Sequence, residues 1–183
     1  NVGFFSIIAS RLVGADGAVY AFEPLPINVA CLRRNVRANN LSNITVIPKA
    51  VAATSGPVEI HLTAHPGGAT LVSAGYPTDA YATTRVESAF IDELLDYNQI
   101  APPDVVKIDV EGAEVDVLRG MARALEKYHP VVIYEIDDTD PERLAHKRET
   151  CAGILQGFGY SIRLLDNAYD HTVEHYVAVV ALA

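Results

Sequence analysis

The sequence is poor in cysteine, short of cations and without a long apolar run, and each shortage closes off a class of protein. Cys31 and Cys151 are its two cysteines in 183 residues. Each falls in a helix-like segment among apolar neighbours, which points to two buried free thiols and not to a disulfide framework. The six histidines are scattered, with no Cys or His partner at zinc-ligand spacing. Lys and Arg number 14 against 23 acids, a formal charge of −9. That surplus of acid argues against a protein that wraps nucleic acid or lies on an anionic membrane. Arg33, Arg34 and Arg37 form a local basic cluster, read as the wet face of a helix. No apolar run approaches the roughly 18 residues of a membrane span. The chain opens on Asn1 and not on Met, so no targeting segment is legible. A cytoplasmic location is the default expectation. No internal repeat or linker interrupts the sequence, so residues 1–183 are expected to form a single domain.

What is present is an alternation of helix and strand. Helices are predicted at Phe4–Val13, from Pro26 to about Asn40, at Ala89–Tyr97, Ala113–Glu126 and Pro141–Gln156, the last with Asp140 as N-cap. Strands are predicted at Ala18–Phe22, Ile44–Ile47, Val58–Thr63, Asp104–Asp109, Pro130–Ile136, Tyr160–Leu165 and Tyr176–Leu182. The last two are separated by too few residues for a parallel crossover and are expected to pair antiparallel. Residues 64–84 are rich in Gly, Pro, Ala and Thr, show no period and read as a long binding loop or lid, in which Tyr76 and Tyr81 are candidates to stack on a flat ligand. Continuous apolar strands alternating with helices imply an α/β fold: a mostly parallel sheet covered on both faces.

In such a sheet, ligands bind outside the carboxyl ends of the strands. The segment VVKIDVEGAE, residues 105–114, ends an apolar strand in Asp109, Glu111 and Glu114. A carboxylate buried without a partner costs several kcal/mol, so Asp109 is expected to face the crevice. Glu135 and Glu23 end two further strands in the same way. Glu23 follows Gly3 by 20 residues and directly follows a strand, the placement in which a carboxylate accepts hydrogen bonds from ribose hydroxyls. Strand-end acids also serve as helix caps, and Glu114 suits the first turn of a helix. Lys107, inside the strand, is expected to pair with a nearby carboxylate.

Residues 1–47, containing Phe-Glu-Pro at 22–24, and the segment VVKIDVEGAEVDVLRG at 105–120 resemble the two hallmark regions of FkbM-type methyltransferases, a branch of the S-adenosylmethionine-dependent class I enzymes. The closing GFGYSIRLL and HYVAVV strands extend the resemblance along nearly the whole chain. The resemblance implies a Rossmann-like three-layer αβα sandwich with sheet order 3-2-1-4-5-7-6, strand 7 being antiparallel. It implies S-adenosylmethionine as cofactor and methyl transfer to a hydroxyl on a sugar or natural-product acceptor. The family's first motif is a strand leading into Asp-x-Gly-Ala-Asn-x-Gly, and this chain begins at the Asn of that motif. The central first strand is therefore expected to be absent, leaving a molecule that starts at Asn1 with weak cofactor binding and a marginal fold.

By the same resemblance, Asn1 and Gly3 lie near the methionine portion of the cofactor, Glu23 holds the ribose, and Pro24 and Leu25 flank the adenosine. Ala50 and Val51 lie near the adenine, where small residues equally serve as plain packing. Asp109 sits close to the transferred methyl. An alcohol needs a base as the new bond forms, and Glu111 is the first candidate, with Asp109 and Glu135 as alternatives. A divalent metal that acidifies the hydroxyl is possible but is not the favoured reading. A nicotinamide-dependent oxidoreductase would use the same ribose acid, and a non-catalytic nucleotide-binding module would share the fold. The first would be expected to show Gly-x-Gly-x-x-Gly and a hydride-transfer constellation, neither of which is found in this sequence.

Overall fold

Parallel and antiparallel strands share this fold, which corrects the expectation of a mostly parallel sheet. The structure, a computed structural model, describes residues 1–64, 69–74, 79–138, 140–165 and 173–180. Along the chain run α1 (Phe4–Val13), β1 (Val19–Phe22), α2 (Pro26–Ala38), β2 (Ile44–Ile47), β3 (Ala50–Val51), β4 (Gly56–Thr63), β5 (Thr70–Leu71), a 3-10 turn at Val72–Ala74 and β6 (Ala80–Ala89). Then follow α3 (Ile91–Asp96), β7 (Val105–Ile108), α4 (Glu114–Arg119), α5 (Ala122–Tyr128), β8 (Val131–Asp137), α6 (Pro141–Gly157), β9 (Ser161–Leu164) and β10 (Val173–Val179).

The strands form three hydrogen-bonded groups. β1 and β2 pair parallel. A four-stranded sheet runs β7-β8-β10-β9, with β7 and β8 parallel and β10 antiparallel to both of its neighbours. The expected closing hairpin is thus present. These two groups have the internal orders of the two flanks of the expected 3-2-1-4-5-7-6 sheet, but among the described residues no ladder joins β1 to β7. The two are tied by side chains instead. Tyr20 and Phe22 of β1 pack against the main core, and the Tyr20 hydroxyl accepts the Ala101 amide at 3.2 Å.

A third group, β3-β6-β4-β5, corrects the expectation of a featureless segment at 64–84. β5, the 3-10 turn and the start of β6 lie within it, and β6 pairs antiparallel with β4 along eight registered positions. Residues 65–68 and 75–78, with Tyr76, lie outside the described residues. Tyr81 stands on β6 with its side chain mostly in solvent. Because Ala89 ends β6, the following helix starts at Ile91 and not at Ala89.

The helix expected over 113–126 is two helices. α4 stops at Arg119, and at the break Gly120 packs onto Ala52, where a Cβ would lie 2.4 Å from the Ala52 carbonyl oxygen, while the Gly120 carbonyl accepts the Asp92 amide at 3.1 Å. α5 restarts at Ala122 with its first amides held from outside, the buried Asp92 carboxylate accepting from the Arg123 and Ala124 N–H groups at 2.8 and 2.9 Å. The main core lies between α4, α5 and α6 and one face of the four-stranded sheet. Leu118, Met121, Leu125, Cys151 and Leu155 are buried there against Val132, Tyr134, Ile136 and Ala178. Burial of such side chains stabilises by about 1.5–3 kcal/mol each. Cys31 departs from expectation, being half-buried on α2 where Cys151 is fully buried. Arg33, Arg34 and Arg37 are exposed on α2, as expected of a wet face.

Candidate active site

The carboxyl ends of β1, β7 and β8 each deliver an acid. Glu23, one residue past β1, is buried at 5% exposure. Its Oε1 accepts the Leu25 amide at 2.9 Å and the Asn28 side-chain amide at 3.4 Å. Its Oε2 lies against the Asn1 backbone nitrogen. Gly3 makes the turn that brings Asn1 there. Its φ of +100° favours glycine, and a Cβ would lie 2.3 Å from Leu32.

Asp109 follows β7, exposed and paired with the Lys107 ammonium, which also sits 4.1 Å from the Phe5 ring centre. The chain then turns through Gly112 at φ +87°. The Glu114 carboxylate closes this turn by accepting the Gly112 N–H at 2.9 Å. Glu114 is 2% exposed, and among the described residues its second oxygen has no hydrogen-bond partner. On β8, side chains alternate: Tyr134 and Ile136 enter the core, and Glu135 and Asp137 project from the other face. Opposite Glu135 on β10 stands His175, its Nε2 2.9 Å from Glu135 Oε2.

This crowding sets the protonation of two groups. Burial, reinforced by the charges of Asp137, Asp109, Glu135 and Glu114, pushes the Glu111 carboxyl up to about 7. Burial likewise pushes Glu114 up to about 7, with hydrogen bonds from the backbone and the Lys147 charge working against it. Glu111 is thereby a proton acceptor matched to neutral pH, which its ordinary carboxylate strength would not make it.

The profile of the methyltransferase FkbM domain matches residues 1–162. The chain belongs to the FkbM methyltransferase family. It is 29% identical over 142 residues to the hexuronic acid methyltransferase AglP of Haloferax volcanii, an alignment covering 78% of this chain and 55% of that protein. It is 24% identical to methyltransferase 1 of Beauveria bassiana, over 66% of this chain and 55% of that protein. The chain thus spans about half the length of the curated relatives it matches. Among solved structures, the FkbM methyltransferase of Methylobacillus flagellatus superposes with a TM-score of 0.64 at 19% identity, over 97% of this chain and 41% of that one. The fibrillarin of Aeropyrum pernix, solved with natively bound S-adenosyl-L-methionine, gives 0.55 at 15% identity, over 98% and 62%. These likenesses establish the Rossmann-like class I fold.

Within this FkbM chain, the sequence-predicted acids separate into two groups. Asp109, Glu111 and Glu135 come together electrostatically, since the charges of the other two act on Glu111. Glu23, Pro24 and Leu25 form the β1–α2 turn, where Leu25 packs on the second, smaller core. Ala50 is buried in that same core beside Ala52 and Ala113, and Val51 is half-buried. Sequence reasoning missed His175 and Asp137. Asp137 was within reach, two residues beyond Glu135 and so on its face of the strand. His175 becomes visible only once the β8–β10 register is known. The residues at the β1 end fit an S-adenosylmethionine ribose: a buried carboxylate is held in place by its loop amide through one oxygen, while the other faces Asn1.

Proposed function

We propose that this chain is a methyltransferase domain that uses S-adenosylmethionine to methylate a hydroxyl on a sugar or natural-product acceptor. The observation that carries the reading is the Glu111 carboxyl, raised to about 7 at the end of a parallel strand in an FkbM-family chain. The hexuronic acid named for the haloarchaeal relative favours the sugar class. Asn1, Gly3, Glu23, Pro24, Leu25, Ala50, Val51 and Asp109 would hold the cofactor, which when bound supplies an electrophilic methyl group. Glu111 accepts the acceptor's hydroxyl proton as the oxygen becomes nucleophilic. Burial raises its basicity, and the like charges of Asp137, Asp109 and Glu135 add to it. Positioning of the acceptor oxygen supplies much of the rest of the rate.

The test is calorimetric titration with S-adenosylhomocysteine of the protein extended by the family's preceding first strand, compared with Glu23→Ala in the same extended protein. Weakening by more than about tenfold, roughly 1.4 kcal/mol, is the expected result. Methyl transfer to a uronic-acid glycan should then rise with pH through about 7 and lose that limb in Glu111→Gln. Absence of S-adenosylhomocysteine binding by the wild type would overturn the cofactor assignment. An unchanged pH limb in Glu111→Gln would move the base elsewhere.

A further inference from the structure

The charges of this chain are segregated. Between Pro26 and Ala89 lie five cations (Arg33, Arg34, Arg37, Lys49 and Arg85) against three acids (Glu59, Asp79 and Glu87), a net +2 that leaves −11 for the rest of a −9 chain. The ion pairs follow the same division. Among the described residues, every Lys or Arg in a salt bridge is Lys107 or a later residue. The six earlier cations, Arg11 and these five, make no ion pair among the described residues.

Two of them line one cleft. It has a volume of about 430 Å³ and lies between the β1–α2 turn, the end of β2 and β6. Pro24, Pro26 and Pro48 contribute three rigid apolar rings. Arg33 lies two turns along α2 from Pro26, on the same stripe of the helix, and Arg85 comes from β6. Arg85 stands opposite Glu59 in the β4–β6 ladder and makes no ion pair with it. Thr84 and Glu87 complete the rim with polar oxygen atoms. Against the two guanidiniums, Glu87 leaves the rim at a net +1.

We propose that this cleft binds an anionic sugar, its phosphate or carboxylate held between Arg33 and Arg85 and its ring lying on the prolines. A guanidinium presents a planar fork of N–H donors that matches both oxyanions bidentately. The volume suits one or two sugar rings, within the range of small-molecule sites. The proline rings offer the apolar wall that the C–H face of a sugar requires, and Thr84 and Glu87 offer partners for its hydroxyls. The cleft shares Pro24 with the proposed cofactor site, and its test, which reads sugar binding alone, needs no cofactor.

The protein is titrated with glucose 1-phosphate, glucuronate and glucose at low salt, followed by calorimetry and amide chemical-shift mapping. At least one of the two anions is expected to bind about tenfold or more tighter than glucose, as charge-assisted hydrogen bonds imply. Preference between the anions assigns the site to phosphate or to carboxylate. Arg33→Ala and Arg85→Ala should each weaken that anion by about tenfold, with both side chains exposed and the fold unaffected. Arg37→Ala, on the same helix but not lining the cleft, should change affinity by less than about twofold. Equal weakening by Arg37→Ala would show a diffuse basic field and overturn the site. So would binding of both anions no tighter than glucose.

Discussion

His175 and Glu135 meet across the β8–β10 ladder, imidazole Nε2 2.9 Å from the carboxylate. Directly opposed residues of an antiparallel pair share a face, so the contact is a product of register. It places Glu135 where its charge helps to raise Glu111. Glu135→Ala is therefore expected to lower the Glu111 midpoint from about 7 toward the ordinary carboxylate value. Stability should change by less than about 1 kcal/mol, because both partners are partly solvated. A carboxyl-carbon NMR titration of Glu111 reads the shift. An unmoved midpoint would sink the coupling between the two acids.

Glu114 makes stability depend on pH in a defined direction. Its folded value of about 7 stands above the ordinary 4.5, so the folded state binds the proton more tightly than the unfolded chain. The stabilising contribution is complete below about pH 4.5 and is lost as pH rises through about 7. Its full size is roughly 3 kcal/mol at 1.36 kcal/mol per pKa unit. Glu114→Gln resembles the protonated acid and still accepts the Gly112 N–H. The variant is expected to match the wild type near pH 4.5 and exceed it in stability above pH 7. Urea unfolding of both proteins along that range measures the difference, and a gap independent of pH would count against the raised value.

Asp92 caps a helix to which it does not belong. Its carboxylate, 2% exposed, accepts the Arg123 and Ala124 amides at the start of α5 and lies 3.5 Å from the Arg123 side chain. Asp92→Ala would leave two N–H groups at a buried helix end without an acceptor. The expected loss is about 2–4 kcal/mol, more than a surface cap contributes. Asp140→Ala, removing the solvent-exposed cap of α6, is expected to cost about 1 kcal/mol. Equal losses in chemical denaturation would show that burial of the cap does not matter.

These two caps mark what the sequence made legible. Asp140 sits one residue before Pro141, and the local pattern announced it. Asp92 lies some thirty residues from the amides it holds, and no local pattern carries that. The same division explains the strands. Val105–Ile108 and Val131–Asp137 are apolar runs that read as buried strands by themselves, and the acids at their ends were visible as the candidate site. β6 is rich in Thr and Ala, half-exposed, and ordered by β4 across a sequence gap. Its strand character lives in the pairing. His175 escaped notice for the same reason, since only the register sets it beside Glu135.

The break between α4 and α5 is another departure from the sequence reading, and its Gly120 contrasts with Gly153 of α6. Gly120 has an ordinary helical backbone, φ −71°, so its conformation alone would admit alanine. The obstacle is the Ala52 carbonyl oxygen, 2.4 Å from where a Cβ would be. Backbone yields less readily than a side chain, so Gly120→Ala is expected to lose about 1–3 kcal/mol as an overpacking strain. Gly153 lies inside α6 on its exposed side, with nothing described within 4 Å of its Cβ position. There alanine removes unfolded-state freedom without meeting a neighbour, and Gly153→Ala should gain about 1 kcal/mol. Thermal melts of the two variants should move in opposite directions from the wild type. If Gly120→Ala melts as high as Gly153→Ala, the Ala52 carbonyl does not obstruct a side chain at position 120.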